Sequence, residues 1–334
     1  MVPVVPLIGM HSTTLSRMDI WSCLSNGEKM AKSQIIALNT YGMDGIFTFM
    51  DLTVEAEALG AKLEVSKEGI PMIRGGPVQS TSDLKKLKLP DPHKDGRLPV
   101  FLEATTIMAD QVGSELSVGA FITGPFTLAS HIMNPDRLLS EIVLDPFLVH
   151  KVVEFATEVT VTYAKALKES GAHMLAILEP MATQQILSTE MFREFASPYI
   201  QKIVRGLKHP LILHICGNTI SLIEQMMQTG VNALSVDSKV DLLHIKKIVG
   251  DQVCILGNID PVNVLLLGKP TDVEEEVKKC IQKMGRKAYI LSSGCEVPLG
   301  TPTENIEAMI KSGHSYGKCI KTCYRNTTSH LQAS

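Results

Sequence analysis

The chain is short of several things. It has one tryptophan, and aromatic residues fill only 5% of its 334 positions. Net charge is small, −3 from 32 basic and 35 acidic side chains, with no basic block and no basic stripe interleaved with aromatics, so nucleic acid is not an expected partner. No apolar run reaches the roughly 18 residues a membrane span needs. The opening "MVPVVPLIGM" also lacks the charged n-region and small-residue cleavage site of a secretory signal. No membrane association and a cytoplasmic location are the expectation. A glycine-rich phosphate loop is missing after the first apolar run, where "GMHSTTLSR" stands, and this counts against a doubly wound open sheet. Seven cysteines (23, 216, 254, 280, 295, 319 and 323) are an odd number scattered through a long chain. Reduced thiols, some of them ligands, fit that pattern better than a disulfide framework.

What is present is an alternation. Eight short apolar, β-rich runs stand at 3–8, 45–50, 117–123, 173–178, 210–216, 232–237, 252–259 and 288–294. Amphipathic stretches separate them, several beginning at Ser, Thr or Asp and stopping at Gly, as helix caps require. Near-continuously apolar strands alternating with helices imply a parallel sheet covered on both faces, and eight of them imply a single closed (β/α)8 TIM barrel over 1–317. The main interruption, about 63–97, reads as an excursion over the barrel mouth ("EGIPMIRGGPV") followed by a surface linker. The segment 318–334 loses periodicity and reads as a frayed tail.

In such a barrel the strand C-termini share one face, and that face carries the site. "LILHICGNTI" (211–220) puts His214 and Cys216 at the end of the fifth run, two residues apart and therefore on one face. Cys295 follows the eighth run, "AYILSSG", so it also arrives at the mouth. One imidazole and two thiolates suit Zn2+, and three protein ligands leave the fourth tetrahedral position open, the mark of a catalytic site. Asp237, ending the sixth run in "LSVD", is placed to fill that position when no substrate is bound. Two thiolates make the ion electron-rich, which favours a bound thiolate nucleophile and so alkyl transfer to sulfur. Against this stands the plainer reading of a packed histidine beside a buried cysteine, because free cysteine is among the most buried residue types.

The strings "LHICGNT", "GNIDP" and "SSGCEVPLGTPTENIEAM", with "FTFMDLTVEAEALGAKLE", "GAFITGPFTLAS" and "EPMATQQILSTEMFREFASPY", resemble the zinc-dependent corrinoid methyltransferases of the uroporphyrinogen decarboxylase superfamily. Within it they are most similar to the methylcobalamin:coenzyme M methyltransferases. The resemblance implies zinc held by His214, Cys216 and Cys295, with Asp237 as a further ligand when the thiol is absent. It implies an acceptor thiol bound as thiolate that attacks the methyl group of methylcobalamin or of a small corrinoid-carrier protein. Tetrahydrofolate or a methylated substrate is the alternative partner in the transfer. The decarboxylases of the superfamily need an arginine-rich segment after the first strand, and "IGMHSTTLSRMDIW" offers only Arg17. Asp51 matches the position of the decarboxylase aspartate, yet Cys216 and Cys295 would have no use there.

Further candidates are weaker. Asp51, Glu55 and Glu57 in "FMDLTVEAEALG" suit a solvated helix turn or, for Asp51, a place at the mouth positioning ligands or corrinoid. Glu179, ending the fourth run, is mouth-facing by location. Arg74 and Arg17 are candidates to grip an anionic group such as a sulfonate, or else ordinary surface arginines. Asn218, in the H-x-C-G-N string, is a candidate contact to the cofactor. His131, His173 and His244 read as packing residues.

Overall fold

The computed structural model describes residues 1–78 and 80–318. The tail expected to fray, with Cys319 and Cys323, therefore lies outside the described residues apart from Lys318.

Among the described residues nine strands form two sheets: β1 (Gly45–Phe47), β2 (Lys62–Val65), β3 (Pro71–Gly75), β4 (Ser117–Thr123), β5 (Met174–Leu178), β6 (Leu211–Ile215), β7 (Ala233–Val236), β8 (Cys254–Ile259) and β9 (Tyr289–Ser293). The larger sheet is parallel throughout and runs β1-β4-β5-β6-β7-β8-β9, while β2 and β3 pair as a separate antiparallel hairpin. Seven of the eight expected runs thus lie in the parallel sheet.

The remaining run, 3–8, is a stave rather than a ladder. Pro3 and Pro6 have no N–H to donate, so regular pairing is broken at both. The segment still joins the two sheet edges. Val5 N–H donates to Leu291 O (2.9 Å) and Leu291 N–H to Pro3 O (2.9 Å), while Asp44 N–H, just before β1, donates to Val4 O (2.9 Å). The circle is closed as a (β/α)8-type barrel. Its interior is filled by Val5, Leu7, Phe47, Phe121, Ala176, Leu178, Ile212, Ala233 and Leu256, and a larger apolar shell fills the space between strands and helices.

Most helices fall where the periodicity places them. Gly27–Tyr41 is capped by Asn26 and Pro146–Glu169 by Asp145, each side chain accepting a first-turn N–H. The amphipathic stretch 188–208 forms two helices, Thr189–Phe195 and Ser197–Leu207, with Pro198 in the first turn of the second. Two helices outside those expectations, Pro125–Met133 and Pro135–Leu144, fill the stretch after β4. Pro125–Met133 is nearly apolar, so periodicity does not announce it.

Candidate functional site

Alternation along a strand decides what enters the barrel. Ile212 lies in the interior cluster, so His214, two residues on, is turned inward as well. Ala233 does the same for Ser235 on β7, the residue paired with His214 in the register of the two strands. Cys216 follows β6 directly, and Cys295 lies two residues past β9, where alternation no longer applies and the loop aims the thiol. His214 is buried and both cysteines are half-buried.

The three come together. His214 Nε2 lies 3.1 Å from Cys216 Sγ and 3.8 Å from Cys295 Sγ, and the two sulfurs are 3.9 Å apart. Zinc–sulfur bonds of about 2.3 Å and zinc–nitrogen bonds of about 2.0–2.1 Å at tetrahedral angles put the ligands about 3.8 Å (S···S) and about 3.6 Å (S···N) apart. The two distances to Cys295 Sγ (3.8 and 3.9 Å) match this spacing and that from His214 to Cys216 (3.1 Å) is shorter, so the donor set fits a tetrahedral ion, with one position to spare, once these two side chains open. Among the described residues this is the one group of three or more His, Cys, Asp or Glu with metal-binding proximity. The two thiols are also hydrogen-bond partners. Their mutual hydrogen bond, then burial, pushes Cys216 far above its ordinary range, while that same bond, with His214 adding to it against burial, draws Cys295 down.

The other expected residues are placed as follows. Asp237 Oδ2 accepts Gly217 N–H (2.8 Å) and Oδ1 accepts Lys239 N–H (2.9 Å), so its carboxylate is engaged with backbone on either side. Asn218 Oδ1 accepts Ile220 N–H (3.3 Å), a local turn contact. Glu179 is fully buried and does not face the mouth. Its oxygens accept Phe126 N–H (3.1 Å) and Thr127 N–H (2.6 Å) at the start of Pro125–Met133, and burial still pushes it up to about 7. Asp51 Oδ1 accepts from Thr53 N–H and Oγ1, and Oδ2 pairs with Arg97 at 2.6 Å.

Arg97 is the residue sequence reasoning passed over. It closes the segment expected to be a surface linker, yet it is 6% exposed, binds Asp51 and Glu57 (2.7 Å), and lies 5.0 Å over the Trp21 ring. Its position immediately before an apolar helix, Leu98–Val112, was the available signal. Arg74, by contrast, is exposed and paired with Glu64 across the β2–β3 hairpin (2.5 Å), and Arg17 is exposed at the end of a short helix.

A cleft of about 540 Å3 opens at the mouth between that hairpin, the end of β1 and the loop after β9. Met10, Met50, Asp51, Arg74, His131 and Glu296, the neighbour of Cys295, are among its walls. His131, read as packing, thus borders the cleft, its own pKa lowered by burial.

A parallel (β/α)8 barrel with an imidazole and two thiols converging at its mouth defines a class of metal-capable barrel proteins. The chain belongs to the uroporphyrinogen decarboxylase (URO-D) family, whose model matches residues 1–316. It is 34% identical over 298 residues, 87% of this chain and 86% of the relative, to the methylcobamide:CoM methyltransferase MtbA of Methanosarcina mazei. It is 29% identical to the methylated-thiol–coenzyme M methyltransferase of the same organism, over 86% of this chain and 77% of that one. Among solved structures, a methyltransferase from Methanosarcina mazei superposes with a TM-score of 0.88 at 26% identity, covering 94% of both chains.

Proposed function

We propose that this chain is a zinc-dependent methyltransferase moving a methyl group between a corrinoid, methylcobalamin or a small corrinoid-carrier protein, and a small thiol such as coenzyme M. The observation that carries the reading is the convergence of His214, Cys216 and Cys295 within 4 Å at the open end of the barrel. The names of the relatives support the same reaction class.

In this reading the three side chains are zinc ligands. The ion supplies a Lewis acid that lowers the acceptor thiol's pKa, so that thiolate is available at neutral pH. His214 and the two cysteines hold that centre where the barrel opens to the cleft. The cleft is not lined by the three ligands themselves but reaches them through Glu296, the neighbour of Cys295, and its walls would receive the acceptor. As the S–C bond forms, the methyl carbon leaves the cobalt, the bonding pair stays with the corrinoid, and the thiol proton passes to solvent.

A carrier has to approach the mouth, and some apolar side chains in the connections that follow strand C-termini are exposed. Val143 (75% exposed), Leu144 (77%) and Phe147 (66%) lie on the path from the C-terminal end of β4 to the helix that returns towards β5, and Leu267 (71%) follows the C-terminal end of β8. Exposed apolar groups of this kind suit protein docking. No helix among the described residues is long and apolar enough to cross a membrane, and a cytoplasmic setting, which keeps the thiols reduced, goes with the proposal.

Decarboxylation, the reaction for which the family is named, finds less support. Asp51, its candidate aspartate, is already bound on both oxygens by Arg97 and Thr53. The test is metal content after purification without added metal, together with methylcobalamin demethylation in the presence of coenzyme M, other thiols or tetrahydrofolate. About one zinc per chain is expected, lost with activity in Cys295→Ala. Demethylation by fully zinc-free protein would refute the mechanism, and preference for folate over every thiol would change the acceptor.

A further inference from the structure

The helix Pro125–Met133 is tied at both ends, and each tie belongs to a different wall of the mouth. Its first turn meets the segment that follows β5. Glu179, fully buried, accepts Phe126 N–H (3.1 Å) and Thr127 N–H (2.6 Å), while Met181 N–H donates to Thr127 Oγ1 (3.2 Å). The fit is close, since a Cβ on Gly124 would lie 2.3 Å from Glu179 Oε2. The helix's last turn meets the chain as it leaves the β2–β3 hairpin. Val78 N–H donates to Ile132 O (2.9 Å), one of the final carbonyls that a helix leaves without an internal partner. A Cβ on Gly76 would lie 2.1 Å from the same oxygen, so the two backbones touch. Between and beyond these contacts, His131, Asn134 and Pro135 line the cleft together with residues 70–76.

We propose that Glu179 is a positioning residue for the acceptor: acting through Pro125–Met133, it sets where the hairpin wall of the cleft stands and so how tightly the cleft holds the thiol. This rests on the methyl-transfer reading above. The carboxylate meets two free N–H groups and the positive end of the helix dipole, a combination that fixes the start of the helix in direction as well as place. The helix carries that placement onward. Phe126, Leu128, Ala129, Ile132 and Met133 are each 0% exposed, and side chains packed to that degree leave little room to bend, so the nine-residue helix shifts as one piece of about 13 Å. At the far end the hairpin follows. Among the described residues β2 and β3 pair with each other and with no other strand, so the wall's position depends on contacts such as Val78 to Ile132 rather than on the barrel sheet. Glycine is needed at 76 because the touching backbones leave no space for a side chain.

The experiment measures thiol-dependent demethylation of methylcobalamin, with coenzyme M as the thiol, for the full chain and for Glu179→Gln, Gly76→Ala and the double variant. Zinc content and hydrogen–deuterium exchange of the backbone amides are read on the same proteins. Glu179→Gln keeps the shape but sets a side-chain amide N–H against a backbone N–H, and is expected to raise KM for coenzyme M about fivefold or more, with kcat within about twofold and zinc unchanged. Exchange should speed up across residues 70–78 as well as in the helix. Gly76→Ala should do the same from the other end, and the double variant should fall short of the product of the two effects, because both act on one contact. Faster exchange confined to the helix, with KM at the parent value, overturns the proposal. So does a full product in the double variant, or a loss of zinc in Glu179→Gln, which would place the effect on β6. A parent chain that shows no demethylation with any thiol sinks the reaction reading instead, while exchange at 70–78 still reports on Glu179, so the two failures are told apart.

Discussion

Glu55 shows what a single buried acid does to this barrel. It is 1% exposed and burial pushes it up to about 7, although Thr123 N–H and Oγ1–H both donate to it at 2.7 Å. The folded state therefore holds a proton that the unfolded chain, titrating near the ordinary 4.5, has already lost. Stability from this group is complete below about pH 4.5 and declines as pH rises towards 7. A shift of that size amounts to at most about 3 kcal/mol. In Glu55→Gln the amide can accept from Thr123 N–H and donate to Thr123 Oγ1, so urea titrations should show a shallower loss of stability between pH 4.5 and 7 than in the parent. Equal slopes would place the proton elsewhere. Arg97 is the second case. Arg97→Ala strands the Asp51 and Glu57 carboxylates, with an expected cost of about 3–5 kcal/mol in the same titration. A cost under about 1 kcal/mol would mean that water repairs the cluster.

At the scale of elements, strand packing leaves little slack where β1 meets β4. A Cβ on Gly119 would come 2.2 Å from the Phe47 ring, and Phe47 stacks on Phe121 with centroids 5.1 Å apart inside the barrel. Gly119→Ala is expected to cost about 1–3 kcal/mol by overpacking, read from the thermal midpoint, and Phe47→Leu in the same chain should recover part of it. The junction of β4 with Pro125–Met133 depends likewise on Glu179, whose carboxylate meets the helix's first N–H groups. A residue that location alone aims at the mouth is thereby used to hold the wall.

For the whole molecule, closure depends on Asp44. Its backbone N–H donates to Val4 O, while Oδ2 accepts both Val4 N–H (2.7 Å) and His314 Nε2–H (2.9 Å), tying the stave and the final helix Thr303–Gly317 to the start of β1. Asp44→Ala is expected to lose about 1–3 kcal/mol through the unpaired Val4 N–H. The candidate metal ligands, in contrast, stand at or beyond strand ends, outside the apolar clusters. Chelation should abolish methyl transfer yet leave the far-UV circular dichroism and a cooperative thermal transition in place. Global unfolding on chelation would mark the site as structural rather than catalytic.

The alternation of apolar runs with capped amphipathic segments was enough by itself to specify a parallel barrel, because burial on both faces of a sheet leaves that imprint residue by residue. It also specified that His214, Cys216 and Cys295 would share the mouth, since strand ends of a barrel share a face. The run at 3–8 was read as a strand for its apolar character, and only the tertiary structure shows prolines reducing it to a stave. Roles that depend on a neighbour distant in the chain were likewise beyond the sequence. Arg97 finds Asp51 across 46 positions, Glu179 finds the helix at 125, and Ser235 finds His214 across 21. Local pattern encodes which face a side chain takes, and hydrogen-bond partners are settled only when separate strands and helices are packed together.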